Sequence, residues 1–327
     1  MYIASRRSFI LGASSIAVSA TLLNKAHSQE KAPIIWGPPA GPSIIAAYAV
    51  KTGMLNDIIP ECQFKVWTSP DQIRAGFASG STTMAILPSY SGANLYNKGL
   101  GVRLANILTD GLIYIIAPQA SNIKTLSDLV GKKLAVPFKN DMPDFVIQTI
   151  LKANNISPTD VDIRYMGSIP EAMPLLMMGK VDATVMVEPA CSAIISMSAA
   201  TPKKIERVLD VQQLWKKVAN TEVIPQAGLF VGKGFEDDAG RTKIEAMNKV
   251  FSAALDEIKQ DPEKAAEKIA GVLDFPTHLV ASSIAYSHLV VHNSKGVKPS
   301  LEGFFNILLQ QNSAILGGKL PDNGFYA

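Results

Sequence analysis

The residues of this 327-residue chain that are most suited to chemistry lie where predicted strands lead into helices. A helix N-terminus exposes unpaired backbone N–H groups and the positive end of the helix dipole, so it can hold an anion or a polar group. In open α/β sheets, ligands bind beyond the carboxyl ends of the strands, where these corners lie. The candidate ligand-binding residues are Gly41, Ser43, Ser69, Ser89, Tyr90, Asn140, Asp141 and Glu188.

The candidates in the first part of the chain differ in how well a structural role explains them. Ser69 is followed by Pro, Asp and Gln, a capping pattern that explains this serine better than a ligand contact does. Ser43, Ser89 and Tyr90 belong to no capping box, so for them both interpretations stay open. Gly41 lacks a side chain and would let the backbone approach a ligand closely.

Charged and aromatic residues near the corners constrain the ligand. Asp141 is also a candidate helix cap. Glu188 would repel an anion, so we expect it to have a structural or hinge role unless the ligand carries an amine or a ring N–H. Trp36 and Trp67 end their strands, and packing explains them better than stacking on a ligand. We expect Arg74 to be solvated, which favours a small, singly charged or polar neutral ligand over a dicarboxylate or phosphate.

Motifs for catalysis or metal binding are missing from the sequence. It contains no Gly-x-Ser-x-Gly elbow, no Gly-x-Gly-x-x-Gly after a strand and no P-loop, so no cofactor is predicted. His288 and His292 have the spacing that one helical face would present to zinc, but no Glu motif or Cys accompanies them, and we interpret them as a chance surface pair. Met173, Met177 and Met178 predict an adaptable core face and not a copper site.

Composition and charge describe a folded chain with room for two cores, 47% hydrophobic and 18% charged. The formal net charge of +3 includes Arg6, Arg7 and Lys25, so without residues 1–28 the chain is neutral. No basic stripe with interleaved aromatic residues occurs, and nucleic-acid binding is therefore not predicted. Cys62 and Cys191 are far apart in sequence and are expected to be reduced core residues.

The first 28 residues are expected to be a cleaved export signal. Arg6 and Arg7 stand directly before an apolar stretch at residues 10–23, and small residues at Ala26 and Ser28 suit a signal peptidase. This pattern resembles a twin-arginine signal, with an ordinary Sec signal or an amphipathic N-terminal helix as alternatives. Cleavage near Ser28 and a periplasmic location are expected, without a lipid anchor because no Cys ends the apolar run.

From Ala32 onward, short β-rich runs alternate with helical ones, which predicts α/β layers around a mostly parallel sheet. The strands expected in the first sheet lie at residues 33–36, 63–68, 83–87, 102–108 and 112–117. The strands expected in a second unit, which starts after Pro118, lie at residues 133–137, 161–165, 183–187 and 205–210. Residues 226–231 return to strand character, and the remainder to Ala327 is predicted to be mainly helical.

Three segments carry a family resemblance. Residues 125–137 (Thr-Leu-Ser-Asp-Leu-Val-Gly-Lys-Lys-Leu-Ala-Val-Pro) resemble the segment that opens the second lobe of type 2 periplasmic binding proteins. Residues 179–189 (Gly-Lys-Val-Asp-Ala-Thr-Val-Met-Val-Glu-Pro) resemble the strand and Glu-Pro turn of the nitrate/sulfonate/taurine-type solute-binding proteins of ABC transporters. Residues 37–55 are similar to the first strand, loop and helix of that group. The chain is also similar to the thiamine-precursor-binding branch of these proteins.

The resemblance implies two α/β lobes joined by two crossing strands around a ligand cleft, the type 2 periplasmic-binding-protein fold. The lobes it implies are residues 29–118 with 222–327, and residues 119–221. It also implies a monomer that closes on a small anionic or polar organic ligand, such as a sulfonate, nitrate or taurine, and delivers it to an ABC permease and its ATPase. Two alternatives are a ligand sensor for a signalling membrane partner and a thiamine-pyrimidine synthase, whose cysteine-rich motif is absent here.

Overall fold

The computed structural model of the protein describes residues 32–219 and 223–327; the predicted export signal lies outside these ranges. The strands are β1 (Ile34–Gly37), β2 (Gln63–Val66), β3 (Met84–Pro88), β4 (Arg103–Thr109), β5 (Ile113–Pro118), β6 (Lys133–Pro137), β7 (Asp162–Met166), β8 (Ala183–Val187), β9 (Ile205–Asp210), β10 (Ala227–Val231) and β11 (Leu289–Asn293). The α-helices are α1 (Ser43–Lys51), α2 (Pro70–Ser79), α3 (Ser89–Asn97), α4 (Met142–Ala153), α5 (Ile169–Met177), α6 (Ala190–Ser198), α7 (Val211–Ala219), α8 (Asp238–Gln260), α9 (Pro262–Lys268), α10 (Thr277–Ile284) and α11 (Ser294–Gln311).

The strands form two sheets of similar design. The first has the order β11-β4-β10-β3-β1-β2 and the second the order β7-β6-β8-β5-β9. Three neighbouring strands of each sheet are parallel, and one antiparallel strand, β10 or β5, lies beside them. The short apolar runs of β3, β5 and β8 are buried almost throughout, as expected for strands covered by helices on both faces.

We call the first sheet with helices α1–α3 and α8–α11 lobe 1, and the second sheet with α4–α7 lobe 2. The chain passes from lobe 1 to lobe 2 between β4 and β5, and returns between α7 and β10. The predicted fold class, two α/β lobes joined by two crossings, is therefore confirmed.

The prediction that residues 112–117 complete the first sheet is wrong. Strand β5 lies in the second sheet, where Ile113 pairs with Val187 and Tyr114 pairs with Asp210. An apolar run of this kind fits the centre of any sheet, so its sequence does not identify its partners. The predicted lobe boundary at residue 118 would leave β5 in lobe 1, and we propose residues 110–112 as the crossing instead.

The C-terminal part of the chain also contains a strand that the helical prediction missed. Residues Leu289–Asn293 form β11, which pairs antiparallel with β4 at the edge of the first sheet. Its Leu-Val-Val run is apolar and contains two β-branched valines, which favours a strand over a helix when a sheet edge is available. The other predicted strands lie within a few residues of the observed ones.

Buried apolar side chains form three clusters, and the largest extends through both lobes. Within it the rings of Trp215 on α7 and Phe304 on α11 meet edge to face, with centroids 5.8 Å apart. This contact joins a lobe 2 helix to a lobe 1 helix, and residues Pro33–Ala327 form one compact unit. Within the described ranges, no helix is both long enough and apolar enough to cross a bilayer.

Candidate functional site

The first crossing between the lobes is held by two glutamine side chains. Gly111 has a φ of 137°, and an added Cβ there would collide with the side chain of Gln212. The side-chain amide of Gln212 pairs twice with the backbone of Ile113: its Oε1 accepts from the N–H and its Nε2 donates to the carbonyl, at 3.2 Å each. Gln226, just before β10, accepts from the N–H of Leu112 at 3.2 Å. The two crossings are therefore fastened to each other, and the strand-to-helix corners lie beyond them in both lobes.

The corner after β1 contains Gly41 and Ser43. The N–H of Gly41 donates to the carbonyl of Glu188 in lobe 2 at 3.4 Å, and its missing side chain leaves room for Ser287. The fully buried hydroxyl of Ser43 donates to the carbonyl of Pro38 at 2.6 Å. This bond gives Ser43 a structural role in the turn after β1, where the Pro38 carbonyl also accepts from the N–H of Ala40 at 2.8 Å. Contact with a ligand stays a prediction for both residues.

The corner after β2 is a helix cap, as the sequence indicates. The hydroxyl of Ser69 accepts from the N–H of Gln72 at 3.3 Å, and the Gln72 side chain accepts from the N–H of Thr68 at 2.8 Å. Arg74 pairs with Asp71 on the exposed side of the same helix, at 2.9 Å. The solvated interpretation of Arg74 is thus confirmed, because its side chain is 54% exposed.

The two strand-end tryptophans pack against the fold. Trp67 donates its indole N–H to the carbonyl of Ile86 at 3.2 Å, and both Trp36 and Trp67 are half-buried against the largest apolar cluster. This agrees with the packing interpretation of these residues.

The corner after β3 contains the least satisfied polar group of the site. Ser89 is fully buried and its N–H donates to the carbonyl of Gln226 at 2.8 Å, but its hydroxyl has no hydrogen-bond partner among the described residues. It opens α3, whose N-cap is Pro88, so no side chain caps the first turn. A buried hydroxyl without a partner costs about 1–3 kcal/mol. Ser89 and the α3 N-terminus together form a donor-rich position suited to an anion or a polar group.

Tyr90 and Asp141 bring the corners of the two lobes together. Burial raises the pKa of Tyr90 well above its ordinary value, and the negative charge of the nearby Asp141 carboxylate raises it further. Asp141 also caps α4, where it accepts from the N–H of Met142 at 2.7 Å. Asn140 has a φ of 60° and an exposed side chain, and its N–H donates to Asp144 at 2.9 Å. Asp141 thus combines the predicted cap with a contact across the cleft.

Glu188 is a buried structural carboxylate. One of its oxygens accepts from the Nε of Arg207 at 2.8 Å and from Nη2 of the same guanidinium. The other oxygen accepts from the hydroxyl of Ser192 at 2.9 Å and from its N–H at 3.2 Å. With all these donors and no exposed surface, Glu188 agrees with the structural role expected for it.

The structure therefore brings together two pairs of predicted residues, Gly41 with Glu188 and Tyr90 with Asp141, and places Ser89 beside the second pair. Ser69 and Asn140 lie at the margin, where one is a cap and the other is exposed. The sequence did not point to Arg207, because this residue lies on β9 while its partner Glu188 lies in the turn after β8, and no motif links the two residues.

The two histidines do not lie on a helix, so the helical face that could have presented them together to zinc does not form. Both flank or lie in β11, and each has its own partner. His292 Nε2 is 3.0 Å from Asp110, a hydrogen bond that raises the pKa of this histidine, and His288 Nε2 is 2.9 Å from the Tyr114 hydroxyl. In the part of the chain that the structure describes, no group of three or more side chains could hold a metal ion.

Among the sulfur-containing residues, only Met178 lacks the core position predicted for it. Cys62 is half-buried, Cys191 is buried, and both are free thiols. Met173 and Met177 pack against the apolar cluster of lobe 2, while Met178 is 63% exposed. The methionines of α5 thus form a core face that ends at an exposed side chain.

Comparison with known proteins identifies the fold and the family. A sequence model of the family described as NMT1/THI5 like matches residues 67–265. An ABC transporter structure from Parabacteroides distasonis is 21% identical, covering 90% of this chain and 98% of that one with a TM-score of 0.75. The periplasmic aliphatic sulphonate binding protein SsuA from Escherichia coli is 16% identical, covering 90% and 99% with a TM-score of 0.69.

A third similar structure is the periplasmic nitrate-binding protein NrtA from Synechocystis PCC 6803. It is 12% identical, covering 76% of this chain and 69% of that one with a TM-score of 0.58. No curated protein sequence matches the chain. At these identities the structural likeness establishes the two-lobed fold, in agreement with the resemblance of residues 125–137 and 179–189.

Proposed function

Since the chain belongs to the NMT1/THI5-like family, we propose that it is the periplasmic solute-binding component of an ABC importer. The observation that carries this proposal is the meeting of strand-to-helix corners from both lobes, with the unpaired hydroxyl of Ser89 beside them. The similar structures described as sulphonate-binding and nitrate-binding proteins support the same role.

We infer that the ligand is a small anionic or polar organic molecule of the sulfonate, nitrate or taurine kind. The first turn of α3 and the Ser89 hydroxyl would donate to its oxygen atoms. The Asp141 carboxylate nearby favours a ligand that also presents an N–H or an ammonium group. Arg207 and Arg74 are paired with carboxylates, which argues against a ligand that requires a bidentate arginine.

The mechanism we propose is a shift of population between open and closed forms. The ligand contacts both lobes only when they are closed, so it favours closure by the free energy of those extra contacts. The closed monomer would then be recognised by the permease and its ATPase. No bond is made or broken in this process.

A thermal-shift screen of the purified chain tests the role. The compounds are taurine, alkanesulfonates, nitrate, carboxylates and pyrimidines, and binding to the folded state alone should raise the melting temperature. Calorimetry on any hit should give an affinity that Ser89→Ala weakens about 2- to 12-fold, the value of one hydrogen bond. Ser69→Ala is the matched control and should leave the affinity unchanged. A screen without a hit would contradict the proposal, and equal binding by Ser89→Ala would remove Ser89 from the site.

We also propose export by the twin-arginine route with cleavage near Ser28. Changing Arg6 and Arg7 together to Lys should leave precursor in the cytoplasm, detected by cell fractionation. Normal export of this variant would indicate a Sec route instead.

A further inference from the structure

Beside the cleft, the lobes are joined by an arginine stacked on a tyrosine. Arg207 lies on β9 of lobe 2, and Tyr286 follows α10 of lobe 1. The guanidinium carbon is 3.6 Å from the centroid of the Tyr286 ring and 5.4 Å from that of Tyr114. A guanidinium at the face of an aromatic ring is attracted by the negative charge of the ring face. This contact crosses directly from one lobe to the other.

Further protein–protein bonds lie next to the stacked pair. The Tyr114 hydroxyl of lobe 2 donates to the carbonyl of Tyr286 at 2.9 Å, and its ring is stacked with that of His288. The Gly41 N–H donates to the Glu188 carbonyl, as described above. These contacts form one continuous interface between the lobes. All of them would be broken when the cleft opens.

The Arg207 side chain is held in place before it meets Tyr286. Its guanidinium donates to Glu188 and to the Ser192 hydroxyl, both in lobe 2, and it is 15% exposed. Because these bonds lie within one lobe, they persist when the lobes separate. The stacking face is therefore presented to lobe 1 in a fixed orientation, so that closure orders little more of the arginine side chain.

We propose that Arg207 and Tyr286 form an interlobe latch that keeps part of the protein closed without ligand. The latch sets how much of the free energy of closure a ligand must supply. Its importance for transport rests on the proposed function. Tyr286 supplies the lobe 1 side of the latch. Because it is 42% exposed, it contributes more to the interface between the lobes than to the core of its own lobe.

Distance measurements on the ligand-free full chain test the latch. Spin labels on cysteines introduced at the exposed positions Ala75 of lobe 1 and Lys180 of lobe 2, in a Cys62→Ser background, would report the distance between the lobes. We expect a closed population in the parent protein and in Tyr286→Phe, which retains the ring. In Tyr286→Leu the ratio of closed to open molecules should fall about 5-fold, which corresponds to about 1 kcal/mol.

Two further measurements distinguish the loss of the stacking contact from a general loss of stability. Arg207→Lys retains the charge opposite Glu188 but loses the planar stacking face, so it should shift the ratio in the same direction as Tyr286→Leu. Urea unfolding should show that Tyr286→Leu is as stable as Tyr286→Phe to within about 1 kcal/mol. Unchanged distances in both the Leu and the Lys variants would overturn the latch. A chain that closes without ligand yet binds no compound in the screen would retain the latch and contradict the proposed transport role.

Discussion

Removing the arginine of the buried ion pair should destabilise the protein far more than removing the whole pair. In Arg207→Met, the Glu188 carboxylate keeps its place with no exposed surface and loses the donors that Arg207 supplies to one of its oxygens. Only the N–H and hydroxyl of Ser192 remain as partners for the carboxylate.

The magnitude follows from the burial of the charge. Breaking a buried ion pair by removing one partner typically costs about 3–5 kcal/mol, because an uncompensated charge remains. The double variant Glu188→Gln with Arg207→Met leaves no buried charge, and its amide oxygen can still accept from Ser192. We expect it to lose about 1–2 kcal/mol, the cost of a few weakened hydrogen bonds. Even if Glu188→Gln alone cost nothing, the interaction energy between the two sites should thus be at least about 1 kcal/mol.

Urea unfolding of the parent, both single variants and the double variant gives this interaction energy. Tryptophan fluorescence and circular dichroism should report coincident transitions, so that a two-state free energy applies. If Arg207→Met lost less than about 1 kcal/mol, Glu188 would not depend on the ion pair, and its assignment as a structural carboxylate would be refuted.

Three further outcomes are expected. Ser69→Ala should lower the free energy of unfolding by about 1 kcal/mol in urea, since it removes the α2 cap; an unchanged urea midpoint would exclude the cap as a stabilising contact. The hydrogen bond to Asp110 is the main cause of the raised pKa of His292 in the folded protein. The protonated His292 therefore stabilises the fold fully below the ordinary histidine pKa of about 6.5, and this stabilisation is lost as pH rises through the pKa of His292 in the folded state. The difference in urea midpoint between the parent and His292→Gln should therefore be larger at pH 5.5 than at about pH 8.5, and an equal difference at both would contradict this pairing. Burial raises the pKa of Cys62 to about 11, so it should react with a thiol reagent more slowly than free cysteine at neutral pH, and a rate equal to that of free cysteine would contradict this environment.

The helix caps and corners were predictable because their signals are short. The serine of α2 and the aspartate of α4 cap their helices through contacts within three residues, which a capping pattern reads directly. The corner residues followed from the rule that ligands bind beyond strand ends. For Ser43 the structural and the ligand-binding interpretations stayed open, because its hydroxyl bonds to a carbonyl in an irregular turn that no sequence pattern identifies.

The sequence alone determined three features: the alternation of strands and helices, the N-terminal signal pattern and the family resemblance. Each of them depends on periodicity or on residues close together in the chain. Only the tertiary structure decided that β5 joins the second sheet, that Arg207 neutralises Glu188 from 19 positions away, and that Tyr286 of the other lobe stacks on that arginine. Strand partners and ion pairs of this kind depend on which surfaces come into contact after the chain has crossed twice between the lobes. Local propensity does not predict such long-range contacts.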